Sequence, residues 1–170
     1  MFIDNLKSRG YLPHFDRTGY VHTIRISEFD VVPPTLRQAS TKNPYGSCHL
    51  RDPDVAKTVV ASLKYQHQQN LIDLFAFIVM PNHIHFLARF NESISKVVSS
   101  LKSFTGREIN SILGRSGAFW QREYFDRWIA TEDEFRLAKS YIELNPVRAG
   151  LCDSAEEWPY SSAFTSIDHL

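Results

Sequence analysis

The 170-residue chain has only two cysteines, Cys48 and Cys152, far apart in sequence. Two distant thiols exclude a disulfide framework and a cysteine-clustered zinc site. They fit a reducing compartment, and a cytoplasmic protein is expected. Charge of one sign is also missing, because 19 basic and 19 acidic residues cancel to a net charge of zero. A nucleic-acid partner would therefore need a local basic face rather than bulk charge. No apolar run approaches the roughly 20 residues of a membrane-spanning helix. The opening Met1-Phe2-Ile3-Asp4-Asn5-Leu6-Lys7 lacks the apolar segment and cleavage site of a secretory signal. Repeats, low-complexity tracts and an interdomain linker are absent too. One domain over residues 1–170 is expected, with 43% hydrophobic residues to build its core.

What the chain does contain is organised around Phe77-Ile78-Val79-Met80-Pro81-Asn82-His83-Ile84-His85-Phe86. An apolar strand meets a Pro81-Asn82 turn, and a second strand begins with His-Ile-His. Side chains two apart in a strand share a face, so His83 and His85 point together, with Leu87 and Arg89. Ile84, Phe86, Ala88 and Phe90 point into a core. Two imidazoles at a strand end can start a metal site; they can equally cap a turn and fill a half-buried position.

Around this pair the periodicities predict an ordered series. Residues 8–18 read as an irregular lead-in. Gly19 to Ile26 is a first strand, rich in β-branched and aromatic residues. Residues 27–51 form a loop, with a short helix near Pro34–Gln38. Asp52-Pro53 starts a helix ending near Asn70. Leu71 to Met80, almost wholly apolar, reads as a central strand. Ser93 caps a helix to about Leu113, with Phe104 in its apolar stripe. A short strand lies within residues 118–129. Thr131 and Glu134 form a capping box for a last helix to about Leu144 or Asn145. The Trp158–Ser162 tail packs back on the domain. Helices interleaved with a strand pair predict an α+β, ferredoxin-like antiparallel sheet with helices packed on it.

The last helix holds Tyr141 and Asn145, four residues apart and so on one helix face. With Leu137, Ala138 and Leu144 nearby, that face is expected to pack on the sheet. An amphipathic core tyrosine and a C-cap asparagine are the plain reading. A helix lying over the strand ends would instead bring both to the histidines.

The chain resembles the REP-associated tyrosine transposases, within the single-tyrosine branch of the histidine-hydrophobic-histidine (HUH) nucleases. The resemblance rests on Pro81–Phe86, Leu101–Arg107, Phe119–Arg122 with Phe125–Arg127, Tyr141–Leu151 and Trp158–Ser162, in that order. It implies an HUH endonuclease fold and an enzyme that cuts and rejoins single-stranded or hairpin DNA. Tyr141 is then the nucleophile, through a covalent phosphotyrosine. His83, His85 and Asn145 hold a divalent cation, Mg²⁺ or Mn²⁺, with Mn²⁺ better suited to imidazole. Lys102, Arg107, Arg122, Arg127 and Arg148 are the expected DNA contacts, with Trp120, Tyr124 and Trp128 as stacking surfaces. Tyr124 is the competing nucleophile; His49 and His67 are alternative ligands. Relatives include both dimers and monomers, so a monomer or a homodimer is open. No membrane partner is implied. A hairpin-binding regulator with little cleavage is the alternative function, and a small-substrate phosphodiesterase a third.

Overall fold

The computed structural model describes residues 6–8, 13–15, 18–32 and 45–164. The short helix expected near Pro34–Gln38 lies outside these residues. In place of an irregular lead-in, β1 (Leu6–Ser8) and β2 (Pro13–Phe15) form a small antiparallel hairpin. The main sheet contains β3 (Val21–Ser27), β4 (Ile72–Met80), β5 (His83–Phe90) and β6 (Phe125–Trp128). Its order is β4-β5-β3-β6, with antiparallel neighbours throughout. Two split β-α-β units interlock to give that order, the ferredoxin-like arrangement the periodicities predicted.

Helices α1 (Pro53–Gln68) and α2 (Ile94–Ile112) cover one face. Asp52 caps α1 by accepting from the Asp54 and Val55 amides, and Asn70 (φ +56°) takes the left-handed turn after it. Val55, Val59 and Leu63 of α1 meet Val97, Val98 and Leu101 of α2 over Ile24, Ile84, Phe86 and Phe77. Two details of α2 differ from expectation. Phe104 is exposed, and the Ser93 hydroxyl bonds Ser95 instead of capping the helix.

The opposite face is covered less. There α3 (Glu132–Glu143) lies over β4 and β5, and its single buried residue is Ile142. Ile142 joins Ala76, Ile78, Met80, Leu87 and Ile129 in a second, smaller core. Leu137 and Leu144 stay exposed, contrary to the sheet-facing stripe expected of them. The capping box forms around Thr131 and Glu134, the Glu134 carboxylate taking the Thr131 amide. Thr131 Oγ1 accepts the Glu134 amide, while the Glu134 carboxylate also accepts from Ala130 N and Arg127. Among the described residues no helix lies over the half of this face above β3 and β6.

β4 is an edge strand, not a central one. Its continuous apolarity reflects burial on both faces, Leu74, Phe77 and Val79 in the larger core and Ala76, Ile78 and Met80 in the smaller one, while the chain's own tail satisfies its outer edge. Val79 N donates to Tyr160 O and Ser162 N to Phe77 O, both at 2.9 Å. The Trp158 indole donates to Val79 O at 2.9 Å. The Ser162 hydroxyl accepts from Phe77 N and donates to Glu143 Oε1, tying the strand edge to the end of α3.

Candidate active site

Strand pairing sets the histidines in a defined frame. His83 lies between Met80 of β4 and Ser27 of β3; His85 lies between Ile78 and Arg25. Both belong to the sheet face that α3 covers in part. His83 is half-buried and His85 buried.

The turn before β5 holds His83. Asn82 Nδ2 donates to Tyr45 O at 2.9 Å, which turns its amide oxygen toward His83. That oxygen lies 2.8 Å from His83 Nδ1 and can only accept, so Nδ1 carries the proton. Nε2 is left as the ring's acceptor, the atom through which a cation would bind. Glu28 N donates to the Asn82 carbonyl, and the buried Glu28 carboxylate accepts the Leu50 amide. Burial raises the Glu28 pKa above the usual value. Sequence reasoning read Asn82 as a turn residue only; the one available signal was its place directly before His83.

Neither ring nitrogen of buried His85 has a hydrogen-bond partner among the described residues. Burial, with the Arg25 charge beside it, lowers its pKa to about 4. His85 is therefore neutral near pH 7 and presents a lone pair, the form that ligates metals.

Across from His85 stands Tyr141. The two rings meet edge-to-face, their centroids 6.0 Å apart. Tyr141 is 50% exposed, which excludes the core role and leaves its hydroxyl open to a large substrate. The Arg148 guanidinium sits 4.9 Å from the Tyr141 ring centroid. Together they line a cleft of about 690 Å³ between α3 and the uncovered half of the sheet.

Asn145 is placed differently from expectation. α3 ends at Glu143, Leu144 interrupts it, and Asn145 opens the short helix α4 (Asn145–Arg148) with Pro146 in its first turn. Tyr141, Leu144 and Arg148 line the cleft, whereas the half-buried Asn145 and His83 are not among its lining residues. Among the described residues no three His, Cys, Asp or Glu gather into a ligand set. A cation at the histidines would need a ligand of another type, and an amide oxygen qualifies.

The competing candidates are committed elsewhere. Tyr124 packs against the larger core on the other face. His49 Nδ1 lies 3.3 Å from Glu28 Oε2, and His67 Nδ1 3.2 Å from Ile72 O.

Of the expected DNA contacts, Arg127 and Arg148 line the cleft, Arg127 paired with Glu134 at 2.9 Å. Arg107 and Arg122 are exposed, outside the cleft lining. Lys102 Nζ instead donates to Arg122 O at 2.7 Å, and burial lowers its pKa. Trp120 is buried and donates to Thr105 Oγ1 at 2.9 Å, so it offers no stacking surface. β6 instead presents two exposed aromatics, Phe125 in the cleft lining and Trp128, which meets the exposed Tyr20 edge-to-face.

The fold is an antiparallel α+β sandwich in which buried His85 faces the exposed Tyr141. Residues 47–145 match the family described as IS200-like transposases, and the chain belongs to that family. A Haemophilus influenzae protein named as a REP-associated tyrosine transposase is 27% identical over 99 residues, 51% of this chain. The match spans only 56% of that protein. A solved REP-associated tyrosine transposase, described as bound to a REP hairpin, shares the fold with a TM-score of 0.64 at 16% identity. That comparison covers 94% of this chain and 86% of the other.

Proposed function

We propose that the protein, acting as one unit over its 170 residues, is a metal-dependent endonuclease and strand transferase for single-stranded or hairpin DNA. The observation that carries this reading is the meeting of His85 with the exposed Tyr141 across an arginine-lined cleft. Tyr141 attacks the scissile phosphate; its oxygen gives up its proton to solvent and bonds to phosphorus as the leaving 3′- or 5′-oxygen departs and takes a proton from solvent. The resulting phosphotyrosine conserves the bond for rejoining. His83, His85 and Asn145 would hold the cation, Mg²⁺ or Mn²⁺. Bound there, it supplies Lewis-acid charge toward a phosphate oxygen. The orphaned nitrogens of His85 and the Nδ1–H form of His83 both fit such a ligand role. Arg148 over the Tyr141 ring holds the phenol and adds positive charge.

Single-stranded palindromes from the DNA flanking the protein's own gene, incubated with Mn²⁺, provide the test. A denaturant-resistant protein–DNA adduct is expected from the native chain and none from Tyr141→Phe, with DNA binding retained. An adduct surviving in Tyr141→Phe would remove Tyr141 from the role. Specific hairpin binding without any adduct would favour a regulator.

A further inference from the structure

Strand register aligns three side chains in one row across the sheet. His85 of β5 pairs with Arg25 of β3, and Arg25 in turn pairs with Phe125 of β6. All three line the cleft. Neighbouring strands are about 4.8 Å apart, so Phe125 stands roughly 10 Å from His85 with Arg25 between them. Along the row the chemistry changes from imidazole to cation to an aromatic ring that is 49% exposed. The cleft lining contains three arginines and one acidic residue, Glu134, whose charge is held by Arg127 and the Ala130 amide. Its surplus is positive although the whole chain is neutral, which suits an anion that also carries a flat apolar group.

We propose that this row is a nucleotide subsite: Arg25 binds the backbone phosphate presented to Tyr141, and Phe125 stacks on the adjoining unpaired base. It deepens the nuclease reading and rests on it for the reaction, though not for binding. An arginine beside a strained phosphate stabilises charge that grows in the transition state. A base on Phe125 fixes the strand's direction through the cleft, and stacking is tolerant of base identity. An adjacent duplex would have to end before the row, because a paired base cannot offer its face to Phe125.

The test uses fluorescence anisotropy with an oligothymidylate about 12 nucleotides long, without metal. Phe125→Ala is expected to weaken binding roughly five- to hundredfold, and Phe125→Trp to keep it. Arg25→Gln should reduce the slope of log affinity against log salt by about 0.7, one phosphate's share on a single strand, and Arg25→Lys should preserve it. Melting temperatures check folding; if Arg25→Gln does not fold, the Phe125 pair and Arg25→Lys decide. Unchanged affinity in Phe125→Ala overturns the subsite, as does an unchanged slope in folded Arg25→Gln. Binding that depends on both residues, in a native chain that forms no adduct, upholds the subsite and overturns the nuclease reading. Adduct formation in the native chain at a rate untouched by Arg25→Gln and Phe125→Ala overturns the subsite alone.

Discussion

His85 shows how a residue's surroundings decide its chemistry. Its pKa of about 4 lies below that of an exposed histidine because burial opposes the charged ring. In the unfolded chain the same ring takes a proton near pH 6.5. Its contribution to stability is therefore present above that pH and lost as pH falls toward 4. The loss amounts to about 3 kcal/mol at full depth. Urea unfolding in a chelator at pH 7 and pH 4.5 should show this slope in the native chain and a shallower one in His85→Leu. Equal slopes would mean that His85 is not held neutral. At this scale the sequence was informative where spacing alone fixes direction, as for His83 and His85. It was silent where a partner comes from afar. Nothing near Trp120 announces Thr105 as its acceptor, and nothing near Lys102 announces the Arg122 carbonyl.

Among the elements, α3 carries the candidate nucleophile and is tied at its end to the tail. The Ser162 hydroxyl links Phe77 N to Glu143 two residues beyond Tyr141. Ser162→Ala removes that link and leaves a buried amide short of a partner, a cost of about 1–3 kcal/mol. Equilibrium urea unfolding should report it, and a change under about 0.5 kcal/mol, the size of an ordinary surface substitution, would show the link to be idle. The order of elements was legible because helices and strands impose different apolar periods. The edge position of β4 was not, since burial by a helix, a strand or the chain's own tail selects the same apolar residues. The break at Leu144 was half visible: Pro146 forecast an end to α3, but not that a new turn would begin at Asn145.

On the scale of the molecule, the sheet is unevenly clad. One face carries two helices with six buried residues each; the other carries α3 with one. Local opening should follow that imbalance. Amide hydrogen exchange is expected to be fast through α3 and slowest in β5 and α1; uniform protection would remove the case that α3 moves independently of the sheet. Under the proposed function, Tyr141 on the lightly anchored element would approach a substrate held against the rigid one. The α+β class was readable from the pattern because both faces need apolar residues. The opening that the described residues leave over β3 and β6 was not, because no sequence period records which part of a sheet a helix will cover. The tail's pairing along β4 has a consequence beyond this cleft. A bare strand margin invites other chains to zip onto it and grow into fibrils. Here that margin is already occupied, and the opposite one offers four residues of β6 with β2 beside it. Among the described residues, the sheet therefore offers little bare margin for a second copy to extend, and its exposed side is a face rather than an edge.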